Sequence, residues 1–163
     1  MERVLLTGIS GTGKSTIIRE LARRGYKAID TDNNEWCAWV TAPAGVDTVR
    51  PGTDWVWRED RIQRLLAEED AGVPFVSGCE PNQGKFYSRF DHVVLLSVSP
   101  AVLVQRLGSR TTNEYGKHPE DLARILRHRQ TIEPLLRRAA SREVDTSLPL
   151  DEVIETILQL IGF

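Results

Sequence analysis

The chain has little cysteine, no surplus of positive charge, and only short apolar runs. Its two cysteines, Cys37 and Cys79, have no metal-ligand spacing and no secretory context, so reduced thiols are expected. A formal net charge of −2 argues against a surface that coats nucleic acid, which is ordinarily basic. No run approaches the ~20 apolar residues of a membrane span, so no membrane partner is expected. Repeats and low-complexity tracts are absent. An apolar strand pattern begins by the third residue, which gives the expectation of no signal peptide and a cytoplasmic location. His118 and His128 lack ligand spacing with any other candidate and read as surface residues. Composition says nothing about oligomeric state.

What is present is ordinary in amount and informative in order. Of 163 residues, 40% are hydrophobic and 27% charged, which suits one globular domain over residues 1–163. Short β-branched runs alternate with helical patterns, the mark of a parallel α/β sheet with crossover helices. Strands are predicted at Arg3–Thr7, Tyr26–Asp30, Pro74–Ser77, His92–Val98 and Glu143–Asp145. Helices are predicted from Lys14 to Arg24, capped by Gly25, and from about Trp55 to Asp70, stopping at Gly72. Ser99 and Pro100 open another that continues to about Leu107. A long helix spans about Glu120 to Ala140 with a kink at Pro134, and the last runs from Asp151 to about Leu160. A Pro- and Gly-containing loop fills Ala42 to Thr53.

The densest chemistry lies at residues 8–15. Gly8, Ile9, Ser10, Gly11, Thr12, Gly13, Lys14 and Ser15 form a complete G-x-x-x-x-G-K-[ST] phosphate-binding loop between a strand and a helix. The glycines let the backbone turn its N–H groups toward an anion, with Thr16 following at the helix N-terminus. Lys14 suits the β- and γ-phosphates of ATP, and the Ser15 hydroxyl suits Mg²⁺.

Other constellations follow. The second strand ends in Asp30-Thr31-Asp32, and ligands of doubly wound sheets sit beyond the carboxyl ends of strands. Asp30 is then a metal ligand and Asp32 a group that orients or deprotonates an acceptor hydroxyl; the structural alternative is an Asx turn. No other strand ends in an acidic residue beside the loop. Trp36, Trp39, Trp55 and Trp57 cluster between the second and third strands, as a satellite core or an aromatic wall for an acceptor. Arg58 and Arg61 follow and suit a carboxylate or phosphate. From Arg106 to Lys117 runs a polar excursion with Arg110 and Lys117, suited to a lid that excludes water and neutralises charge. On the long helix, Leu122, Ile125, Leu126, Ile132 and Leu136 form a stripe with Arg129 near its centre and Glu133 beside it. Arg129 pairs with Glu133 or points at phosphate, since a cation on a buried face needs a partner.

On these residues the chain resembles the P-loop nucleoside-monophosphate kinase group, and most of all shikimate kinases. The loop, the Asp30-Thr31-Asp32 turn, Trp57-Arg58, the stretch Arg110–Lys117, and Pro134 to Arg138 with Val144-Asp145-Thr146 carry the resemblance. It implies a three-layer P-loop NTPase fold with a five-stranded parallel sheet of order 2-3-1-4-5. It also implies an acceptor-binding lobe at about 32–72 and a lid at about 108–119. Asp32, Trp57, Arg58 and Gly78 would then bind the acceptor, Arg110 would stack on adenine, and Lys117 would replace a lid arginine. Two positions depart from that family. Ser77-Gly78-Cys79 stands where it has three glycines, and Ile132 falls near its acceptor-binding arginine, with Arg129 a turn away. Shikimate is therefore not the expected acceptor.

The expected function is ATP- and Mg²⁺-dependent phosphorylation of a small molecule, with Lys14, Asp32, Lys117 and Arg129 as catalytic residues. The alternatives are a nucleoside-monophosphate kinase and a nucleotide-hydrolysing switch. A switch would want a dedicated water-positioning residue, which the sequence does not show.

Overall fold

The computed structural model describes residues 2–45, 48, 50–69, 74–109 and 115–162. Five parallel strands make the central sheet: β1 (Val4–Thr7), β2 (Ala28–Asp30), β5 (Phe75–Ser77), β6 (His92–Ser97) and β7 (Arg142–Asp145). They lie in the order β2-β5-β1-β6-β7. A separate antiparallel pair, β3 (Cys37–Thr41) and β4 (Thr53–Trp57), is inserted between β2 and β5.

Helices cover both faces because the strand side chains alternate with period two. Val4 and Leu6 face one way, with Phe75, Val94 and Leu96, against α1 (Lys14–Arg23) and α6 (Leu150–Leu160). Leu5, Val76 and Val93 face the other, against α2 (Glu59–Ala67) and a 3₁₀ helix at Gln83–Arg89. Leu95 lies on that second face with Ile9, under α3 (Pro100–Ser109) and α4–α5 (Pro119–Thr131 and Glu133–Ala139). This arrangement sends the ends of β1, β2 and β5 to one rim: Leu6 is in register with Ser77, and Ser77 with Asp30.

Three expectations are corrected. The helix expected from Trp55 begins only at Glu59, because Thr53–Trp57 is strand β4. Its aromatic and β-branched residues pair across the hairpin, Trp39 opposite Trp55, with ring centroids 5.0 Å apart. The helix closes at Ala67, and the expected stop at Gly72 lies outside the described residues. The long helix divides into α4 and α5 at Ile132, two residues before Pro134, which has no N–H to donate and sits in the first turn of α5. The 3₁₀ helix at Gln83–Arg89 is an element beyond the expected ones.

Candidate active site

The phosphate loop is shaped by close approach as well as by turn geometry. Gly11 and Gly13 hold φ of +88° and +96°, in the left-handed region that favours glycine. A Cβ at Gly8 would stand 2.6 Å from the Leu96 carbonyl oxygen, so only glycine lets the loop cross β6 there. Thr12, fully buried, donates its hydroxyl to Ile9 O at 2.9 Å. Gly13 caps α1 without a side-chain bond, so the first N–H groups of the helix stay open to an anion. Lys14 Nζ donates to the loop's own carbonyls, Gly8 O and Ile9 O. Behind the loop, Thr146 donates to Thr12 O at 2.7 Å, and Arg106 donates to both Thr146 Oγ1 and Thr146 O. Arg106 therefore fixes the segment after β7 against the loop.

The turn after β2 meets the loop directly. Ser15 Oγ donates to Asp30 Oδ2 at 2.7 Å, which brings together the two oxygens expected at a metal. Mg²⁺ keeps several waters and uses one or two protein oxygens beside phosphate, so this sparse pair fits it. No group of three or more histidines, cysteines or carboxylates suited to a metal occurs among the described residues. Asp30 also caps its own turn, with Asp32 N donating to Asp30 Oδ1 at 3.1 Å, so the Asx-turn reading holds beside the ligand reading. Thr31 points inward, donating to Ser77 O at 2.6 Å and accepting from Trp57 Nε1 at 2.7 Å. Asp32 is exposed and accepts a hydrogen bond from Trp55 Nε1 at 2.9 Å.

One carboxylate of this rim was not anticipated. Glu80 lies three residues beyond β5, yet the chain folds back and leaves it 7% exposed. Its Oε2 is buried with no hydrogen-bond partner. That oxygen lies 2.6 Å from where a Cβ on Gly78 would be, with Thr31 Oγ1 and Trp57 Cζ2 at 2.7 and 2.9 Å from the same point. Gly78 is thus the gap that admits the carboxylate, and Gln83 holds the turn by accepting from Glu80 N at 3.2 Å. Burial pushes the Glu80 carboxyl up to about 7, and the Asp32 charge adds to the rise while Lys14 opposes it. The only sequence signal was an acid in a Gly-Cys-Glu-Pro-Asn-Gln turn directly after the short strand Phe75-Val76-Ser77.

The tryptophans divide. Trp57 is 1% exposed and meets Phe86 at 5.8 Å between centroids, which leaves its ring no surface for an acceptor. Trp39 and Trp55 form the accessible pair, with Arg50 4.5 Å above the Trp39 ring. Arg58 Nε donates to Asn34 O and Cys37 O at 3.1 and 3.0 Å, and Arg61 donates to Glu35 O. Both arginines tie the start of α2 to the turn after Asp32.

Of the lid, Arg110 lies outside the described residues. Lys117 is exposed two residues before α4. Of the two alternatives for Arg129, the pair with Glu133 is not formed: Glu133, 3% exposed, pairs with Arg137 at 3.1 Å, and Arg137 also reaches Glu143 at 2.7 Å. Arg129 instead lines a cavity of about 420 Å³ with Ser97, Val98, Ser99, Glu133, Arg137, Glu143 and Asp145. Its Nε is buried and unpartnered. None of residues 8–15 lines that cavity.

The comparisons bear on the fold. A family model described as AAA domain matches residues 4–127. No curated protein sequence matches the chain. Among solved structures, a shikimate kinase from Acinetobacter baumannii in complex with shikimate superposes with a TM-score of 0.66 at 18% identity, covering 99% of this chain and 93% of that one. A gluconokinase from Sinorhizobium meliloti gives 0.58 at 22% identity, covering 97% and 90%. A deoxyadenosine kinase from M. mycoides with bound dATP gives 0.61 at 14% identity, with both chains fully covered. The shared feature is the fold of P-loop small-molecule kinases of the nucleoside-monophosphate and shikimate kinase group.

Proposed function

The chain belongs to the AAA domain family, and on that premise we propose that it transfers the terminal phosphoryl group of ATP to a hydroxyl of a small-molecule acceptor. The observation that carries the reading is the Ser15–Asp30 hydrogen bond, which joins the phosphate loop to the turn bearing Asp32. Lys14 exchanges the Gly8 and Ile9 carbonyls for phosphate oxygens, and the open amides at the start of α1 hold the same anion. Ser15 and Asp30 hold Mg²⁺. When bound, the metal neutralises charge on the transferring phosphate. Asp32, fixed by the Trp55 indole, orients the acceptor hydroxyl. Arg110 and Lys117 serve as cations of a closing lid, and Arg106 sets the wall that the nucleotide meets after β7.

The test is a screen of hydroxyl compounds by coupled ADP release, with ATP alone as background and Mg²⁺ omitted as control. A kinase gives release that depends on one acceptor class and on the metal. Release equal with and without every acceptor would favour a hydrolytic switch instead.

A further inference from the structure

Glu80 is a buried carboxylate with no assigned work. Its Oε2 has no hydrogen-bond partner, although the Cys37 thiol and the Cys79 backbone reach the carboxyl group, and the fold has left a gap at Gly78 to receive it. Leaving a polar group unpaired in the interior costs stability, so its persistence at the rim of a phosphate site asks for a chemical reason. The charges that bear on it come from every element around it. Lys14 at the start of α1 acts from the phosphate side, and Asp32 beyond β2 from the acceptor side. Two thiols also face it, Cys37 at the start of β3 and its neighbour Cys79, with burial pushing both upward and therefore toward the neutral form. Thr31 and Trp57, beside the same gap at Gly78, bring no charge.

We propose that Glu80 is a catalytic residue, the group that takes the proton from an acceptor hydroxyl as that hydroxyl attacks the terminal phosphate of a nucleoside triphosphate. This rests on the phosphoryl-transfer reading above. The acceptor O–H bond breaks with its proton passing to the Glu80 carboxylate, and the acceptor oxygen bonds to the γ-phosphorus. The bond from that phosphorus to the β–γ bridging oxygen breaks, and the nucleoside diphosphate leaves with the electron pair. Glu80 returns the proton to solvent as products depart. Asp32 is the ionised positioning group beside it, anchored by Trp55.

The environment suits the task. A general base works best with a pKa near the operating pH, and Glu80 is held at about 7 where an ordinary glutamate would be far lower. The same pair of acids sets the acceptor class. Arg58 and Arg61 already donate to backbone carbonyls, so the groups that face the acceptor are acidic and aromatic. They suit a neutral or amine-bearing polyol and disfavour a carboxylic acid.

The test measures ADP release by the full chain with ATP and Mg²⁺ against neutral polyols and amino sugars, and against shikimate and gluconate, from about pH 5.5 to about pH 8.5. The wild type should use the first set, with turnover rising through neutral pH. Glu80→Gln, nearly isosteric, should keep ATP affinity and lose about 10²–10⁴-fold in kcat together with the neutral-pH limb. Glu80→Asp should retain part of the rate on a displaced limb, which a purely structural role would not produce. Turnover of Glu80→Gln within a few-fold of wild type, an unchanged pH profile, or exclusive use of the two acids would overturn the proposal. A wild type that binds ATP but releases no ADP under any condition would instead overturn the transfer reading itself.

Discussion

Lys14 and Glu80 show how differently two residues of one site are written in the sequence. Lys14 sits in a motif whose spacing states its role, and its ammonium lies among loop carbonyls with little packing of its own. Lys14→Ala should therefore abolish ATP binding measured by calorimetry while changing stability by no more than about 0.5 kcal/mol. Ser15 and Asp30 were legible for the same reason, and their contact follows from the loop and the second strand end sharing a rim. Glu80 was not legible, because burial of an acid in a polar turn depends on Gly78 and Gln83 folding that turn back. Its raised pKa also predicts a stability profile. Between an ordinary glutamate value and about 7, the folded chain binds a proton at Glu80 that the unfolded chain has released. That stabilisation is full at low pH and is lost as pH rises through about 7. Glu80→Gln should thus match wild type near pH 4 and exceed it at pH 8, by on the order of 3 kcal/mol, in denaturant unfolding at both pH values. Equal stability at both would show that the acid is not buried.

Elements were legible where periodicity was strong and obscured where aromatic residues served two patterns. The strands of the sheet and helices α1, α3 and α6 follow their alternation and caps closely. The hairpin did not, because Trp55-Val56-Trp57 runs into the helical pattern of α2 without a punctuating glycine or proline. The break between α4 and α5 re-aims the stripe that held Arg129, giving Glu133 to Arg137 instead. Arg137→Met should leave that buried carboxylate unpaired and lower stability by about 3 kcal/mol, toward the low end for a buried pair because Arg137 is half exposed. The double change with Glu133→Leu should recover most of the melting temperature. Arg129→Met, by contrast, should leave Glu133 paired and cost less than Arg137→Met.

For the whole molecule, the parallel sheet gathers the phosphate loop, the Ser15–Asp30 pair, Asp32 and Glu80 at the carboxyl ends of β1, β2 and β5. Alternating apolar runs made the α/β class readable, since each run is too short to be anything but a strand between helices. The identity of the acceptor was not readable, because the proposed acceptor side draws on a hairpin, two turns and one buried acid that are distant in sequence. Transfer and hydrolysis differ in where the γ-phosphate ends. ATP labelled on its γ-phosphate is incubated with the chain, Mg²⁺ and a neutral polyol mixture, and the label is traced. Transfer puts label on an organic product, formed by wild type and not by Lys14→Ala. Label recovered only as inorganic phosphate, at a rate indifferent to the polyols, would contradict it.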